Sequence, residues 1–242
     1  MPLEVIDNFV YKFNPKDYPF FAKMWSENCK VFTHIGSRDW YRLLFKEMGA
    51  TLGMSMFNEA TATRKLRQDV YYLITKYNSL IKPRVKIWYG NCFYNEGECA
   101  LENEDAVFLS KHFTKEETQV SIVFIATIGS EIDEECKRLH KNDETYNASL
   151  LNGIGAGACE CLAEDLTLFF RDKLKNPALT RLTAGVKGWD VIEQKKIFRL
   201  LKPEDDLKVS MDSELSITPN KTCLGLLFQK DKMSKKKKYS FL

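Results

Sequence analysis

The sequence predicts an α+β domain, a mixed or antiparallel twisted sheet flanked by helices. Three observations predict it. Residues 84–89 (RVKIWY) and 120–128 (VSIVFIATI) have the patterning of strands. Long stretches around them have helical spacing, above all 145–174. Three short strand-like pieces then cluster between 207 and 228 instead of alternating one by one with helices, which argues against a doubly wound sheet.

Composition narrows the class further. The 242 residues are 44% hydrophobic and 12% aromatic, too apolar for a disordered chain. The net charge of +3 is local, because residues 230–242 carry six lysines against one aspartate, so the other residues sum to −2. A faintly acidic body excludes a dispersed basic surface for nucleic acid. No run approaches the roughly 18–20 apolar residues of a membrane span. The first residues, MPLEVIDNFVYKFN, lack the basic start and apolar core of a signal peptide. Seven cysteines in a chain of this length point to free thiols in a reducing cytoplasm.

The elements follow in order. Residues 1–60 are aromatic-rich, and Ser37–Met48 reads as a short amphipathic helix that either packs on the domain or faces a partner. A helix is expected over Glu59–Ile81, with Val70, Leu73, Ile74 and Tyr77 on its apolar stripe and Pro83 closing it. Arg84–Tyr89 alternates at period two, placing Val85, Ile87 and Tyr89 on one face. Asn91–Glu104 reads as a polar loop. Val120–Ile128 is a buried central strand ending at Gly129, after which Glu131–His140 is a helix with acids first and bases last. The long helix Thr145–Leu174 has Ile154, Ala158, Leu162, Leu166 and Phe169 or Phe170 as its core stripe. Beyond a loop, Val191–Leu201 is a helix ended by Pro203. Leu207–Met211, Glu214–Thr218 and Thr222–Phe228 are strands, the last two joined by the turn Thr218-Pro219-Asn220-Lys221.

Most catalytic chemistry is missing. Cys92 and Cys99 are separated by six residues, and Cys159 and Cys161 by one, so neither pair has metal-ligand spacing. His34, His112 and His140 lie in separate segments. There is no P-loop, dinucleotide fingerprint or nucleophile elbow.

Two features invite a ligand. Gly153, Gly155 and Gly157 each cost about 1 kcal/mol relative to alanine inside a helix. Such small residues let a backbone or a ligand come close. Gly153, Gly157, Glu160, Glu164, Leu168 and Arg171 share one stripe, setting two carboxylates beside a flat glycine surface. That stripe is either a solvated acidic face packed near the sheet or a groove wall offering a carboxylate to a cationic ligand. The second feature is RLTAGVKG at 181–188. Its glycines expose backbone N–H and C=O groups, and Arg181 at its start suits a carboxylate.

Four pieces carry a family resemblance by their order and spacing: ATIGSEID (126–133), GAGACECLAEDLTLFFR (155–171), RLTAGVKGWDVIEQKKIFRLL (181–201) and SELSITPNKTCLGLLF (213–228). Together they resemble the activation domain of vitamin B12-dependent methionine synthase, especially small stand-alone proteins related to it. That family has A-x-A-E-x-L…R, then R-x-x-x-G-Y before a helix, then a serine-rich strand, a proline turn and a glycine-bearing strand. The resemblance covers about residues 60–229 and not the first 60.

The resemblance implies a methionine synthase activation domain-like fold that binds S-adenosylmethionine in a shallow groove. It assigns Glu164 as the helix carboxylate, Arg181 as the arginine opening the ligand loop, and Thr183 and Gly185 as positions along the ligand. Val186 and Leu227 fall where the family has tyrosines, and Trp189 is the nearest aromatic substitute. The implied function is an accessory protein of a corrinoid-dependent methyltransferase, supporting reductive reactivation of cobalamin on a partner. That partner is a corrinoid-binding protein, or a methionine synthase lacking its activation domain. Cobalamin is expected only through the partner, since D-x-H-x-x-G is missing. The alternative is an interaction module that keeps the fold without S-adenosylmethionine. The expected organisation is an aromatic N-terminal segment (1–60) packing on or extending the domain, the domain itself (61–229), and a basic tail (230–242) that is solubilising or, alternatively, binds RNA or a membrane surface.

Overall fold

Pairing around the apolar run at 120–128 organises the molecule. The computed structural model describes residues 9–12, 46, 64–102, 104–113, 117–186 and 189–229. The helix expected over Ser37–Met48, apart from Lys46, and the lysine tail lie outside these residues.

A seven-stranded sheet forms from β1 (Phe9–Lys12), β2 (Arg84–Asn95), β3 (Glu98–Leu101), β4 (Val107–Leu109), β5 (Glu117–Thr127), β6 (Leu179–Thr183) and β9 (Thr222–Gln229). Its order is β4-β3-β2-β5-β9-β6, with β1 also on β2, and every pairing is antiparallel. The two remaining strands, β7 (Ser210–Met211) and β8 (Ile217–Thr218), pair only with each other. Helices cover both faces. On one lie α1 (Arg64–Tyr77), α2 (Glu131–Lys141) and α3 (Thr145–Lys173); on the other lie α4 (Gln194–Leu201) and α5 (Pro203–Leu207).

The period-two rule explains how one strand serves both layers. Val85, Ile87 and Tyr89 of β2 share one face, as expected, and with Ile122, Phe124 and Ala126 of β5 they enter the core under α1–α3. Trp88, Cys92 and Tyr94, with Val123 and Ile125, enter the core under α4. Burying one such aliphatic side chain contributes about 1.5–3 kcal/mol before entropy is counted.

One expectation is corrected and two are refined. Asn91–Glu104 is not a loop: β2 continues to Asn95 and turns at Glu96-Gly97 into β3. The polar residues there concealed a period-two pattern, in which Cys92, Tyr94 and Cys99 are buried. The helix expected over Val191–Leu201 does end at Leu201, where Lys202 adopts a left-handed conformation, but its first three residues form a 3-10 turn, and Pro203 then starts α5. The turn at Thr218–Lys221 does join the last two strands, as expected, but they belong to different sheets, since β8 pairs with β7 and not with β9.

Side chains finish what the strands leave open. The outer edge of β4 is covered by one ion pair: Leu109 N–H donates to Glu193 (3.0 Å), and Lys196 donates to Val107 C=O (2.6 Å) and to Glu193 (2.9 Å). Arg84 donates to the carbonyls of Asp206 (3.0 Å) and Leu207 (2.7 Å), while buried Lys86 pairs with Asp206, so β2 anchors the C-terminal end of α5.

Gly155 has a comparable anchoring role. A Cβ there would meet Ile132 Cγ2 at 2.9 Å and Lys221 Cε at 3.0 Å. The missing side chain lets Lys221 cross α3 and reach Asp133 (3.1 Å) and Asn152 (2.6 Å). That contact ties the start of β9 to α2 and α3.

Candidate functional site

β6 is the sheet's edge strand beside α3, and its register sorts its side chains. Leu182 enters the core under α4 with its neighbours Leu226 and Phe228. Arg181 and Thr183 therefore point to the opposite face, toward α3, opposite Leu227 and Gly225 of β9. Arg181 thus stands within a strand, not at the start of a loop. Glycine is required at 225, since a Cβ there would collide with the Leu182 carbonyl oxygen of the neighbouring strand. Arg171 Nε donates to Leu179 C=O at 2.7 Å, which fixes the strand against the end of α3.

The Arg181 guanidinium forms a short ion pair with Glu160. Its other terminal nitrogen lies 4.0 Å from Cys223 Sγ. Burial works against its charge, but Cys223 (ionised at the high pH where an arginine titrates), Glu160 and Glu164 outweigh that, so its pKa is raised and it stays cationic. Glu164, one turn along α3, is half-buried and makes no hydrogen bond or ion pair among the described residues, although it adds to the field on Arg181.

Two thiols lie beside this pair. Burial raises Cys223 to about 11; Arg181 and the Thr183 hydroxyl pull the other way without restoring an ordinary value. Cys159, fully enclosed, is raised well above 9.0, again chiefly by burial. Both are neutral thiols at pH 7, so among the described residues the charged groups of this cluster are Arg181, Glu160 and Glu164.

The ligand residues named from sequence fall in three places. Arg181, Thr183 and Glu164 come together. Gly185 and Val186 lie on the exposed loop after β6, where Gly185 adopts φ +83°. Their N–H groups are taken within the loop, Gly185 by Trp189 C=O (3.0 Å) and Val186 by Thr183 C=O (3.1 Å), so neither amide is offered outward. Leu227 is fully buried under α3 and belongs to the core. Trp189 packs edge-on against Phe108 in the core under α4, with ring centroids 5.9 Å apart, and so cannot replace an aromatic residue in the groove.

Sequence reasoning missed Cys223 and the role of Glu160. Glu160 had a signal, its i, i+4 relation to Glu164. Cys223 had one only once the register was known, because it lies two and four residues before Gly225 and Leu227 on the same face. Among the described residues, no group of three His, Cys, Asp or Glu could hold a metal. The six described cysteines form no disulfide.

The arrangement sets one half-buried arginine beside two carboxylates, a charge pattern complementary to a zwitterion. No protein-family model matches the sequence, and no curated protein matches it. The fold does have a solved counterpart, described as the MetH reactivation domain bound to AdoHcy. The two superpose with a TM-score of 0.66 over 98% of this chain and 82% of that one, at 13% sequence identity. The chain therefore has the fold of the methionine synthase reactivation domain, a mixed helix and strand architecture on an antiparallel sheet.

Proposed function

We propose that this chain binds S-adenosylmethionine, or its demethylated product, between β6 and α3. In this reading it is an accessory module for reductive remethylation of cobalamin on a corrinoid partner. That partner could be a methionine synthase without its own activation domain. One observation carries the reading: the domain sharing this fold is described as binding AdoHcy. The convergence of Arg181, Glu160 and Glu164 supports it. The ligand's carboxylate would meet Arg181, and its ammonium and sulfonium the glutamates. The partner's cobalamin would supply the methyl acceptor, and an external one-electron reductant the electron. The proposed location is the cytoplasm; among the described residues no helix is long and apolar enough to cross a membrane.

Calorimetry with S-adenosylmethionine, with and without a corrinoid protein, tests the reading. Saturable heat is expected for the full chain. Arg181→Ala should weaken binding by about tenfold or more, since a charge-assisted hydrogen bond contributes about 1.5–3 kcal/mol. No heat under either condition rejects the ligand.

A second reading has its own support. Val186 is an exposed aliphatic residue and Leu227 is buried, so neither offers a hydroxyl or aromatic face to an adenosine. An interaction module without S-adenosylmethionine would bind the corrinoid protein yet give no heat with the nucleoside. Arg181→Ala and Glu164→Ala would then leave that association intact.

A further inference from the structure

We infer that Glu160 is a resident counter-ion for Arg181, exchanged for the ligand's carboxylate on binding, and that this exchange makes the groove prefer a sulfonium to a thioether. The inference rests on reading the groove as an S-adenosylmethionine site.

Three observations lead to it. First, Arg181 is already engaged: its guanidinium pairs with Glu160, not with Glu164. An incoming carboxylate that uses the same edge must displace Glu160. Second, the pair is mostly enclosed, with side-chain exposures of 16% for Arg181 and 26% for Glu160. A displaced Glu160 cannot simply relax into bulk water and needs a new cationic neighbour. Third, among the described residues no unpaired cation stands beside the pair. Cys223 and Cys159 stay neutral, and the nearby Lys221 is already paired with Asp133.

The formal charges make the consequence specific. Glu160, Glu164 and Arg181 sum to −1. S-adenosylmethionine carries a sulfonium, an ammonium and a carboxylate, net +1, and brings the site to zero. S-adenosylhomocysteine carries only the ammonium and carboxylate, net zero, and leaves one half-buried glutamate without a cation. A unit charge a few ångströms away in a partly screened site corresponds to a preference of about tenfold or more. The displaced Glu160 would become the second carboxylate against the sulfonium. A competitor in the empty groove is thereby turned into a selectivity element in the filled one.

The experiment is isothermal titration of the full chain with three probes. These are S-adenosylmethionine, S-adenosylhomocysteine, and sinefungin, which carries an ammonium in place of the sulfonium. The unsubstituted chain should favour S-adenosylmethionine over S-adenosylhomocysteine by about tenfold, with sinefungin on the sulfonium side. Glu160→Gln should compress that ratio to about threefold or less, while S-adenosylhomocysteine binds as well or better because the competitor is gone. Glu160→Asp keeps the charge but shortens its reach. It should retain the sulfonium preference, and it serves if the glutamine variant does not fold. An unchanged ratio in folded Glu160→Gln overturns the inference and leaves the binding site standing. Failure of all three probes to bind the unsubstituted chain overturns both.

Discussion

Cys223 shows how one side chain reports on the groove. Its thiol faces Arg181 and Thr183, and burial holds its pKa at about 11. Labelling by iodoacetamide, followed by mass spectrometry of its peptide, should therefore be slow at pH 7–8 and accelerate as the pH climbs toward 11. Arg181 draws the value down, so Arg181→Ala should move that profile to higher pH. Glu160 and Glu164 illustrate the limit of sequence at this scale. Their shared helix face follows from the 3.6-residue repeat alone. Which one the arginine takes depends on how far β6 slides along α3, and no local pattern encodes that. Leu227 shows the converse: its place in the motif marked it for the groove, but the pleat turns it into the core.

At the level of elements, α3 is the clearest case. Its span and its core stripe at Ile154, Ala158, Leu162 and Leu166 follow from periodicity. The purpose of its glycines did not, although a close approach was expected. At Gly155 the approaching groups are Ile132 and the stem of Lys221. Helix propensity alone predicts that Gly155→Ala stabilises the chain by about 1 kcal/mol. The packing predicts the opposite sign, since Ile132 is fixed in the core and Lys221 is held at both Asp133 and Asn152. The expected outcome is destabilisation of about 1–3 kcal/mol in urea unfolding. At Gly225 the obstacle is the Leu182 carbonyl itself. Gly225→Ala should separate β6 from β9, lowering the melting temperature and weakening ligand binding together. β2 and β3 were half legible for a related reason: asparagine and glutamate at 91, 95 and 96 mimic a loop, and only pairing with β5 and β3 carries the strand through them.

Across the whole molecule, the buried thiols couple stability to pH. Cys92 and Cys159 both have pKa values raised well above the 9.0 of an ordinary thiol, chiefly by burial. The unfolded chain loses these protons near pH 9, whereas the folded chain keeps them. The stability they lend is thus complete below about 9 and is lost as pH rises above it, by about 1.4 kcal/mol per pH unit for each thiol. Urea midpoints between pH 8 and 10.5 should fall accordingly, and Cys92→Ala with Cys159→Ala should flatten the decline. Sequence alone determined the α+β class, the extents of α2 and α3, the apolar centre of β5, and the separation of a +5 tail from a −2 body. Those properties follow from local periodicity and composition, which each segment carries by itself. Only the tertiary structure decided which helices cover which face, that Arg181 is an edge-strand residue, and that Glu160 holds it. Those outcomes depend on strand register, which is set by contacts between residues far apart in the chain and fixes to which face each side chain turns.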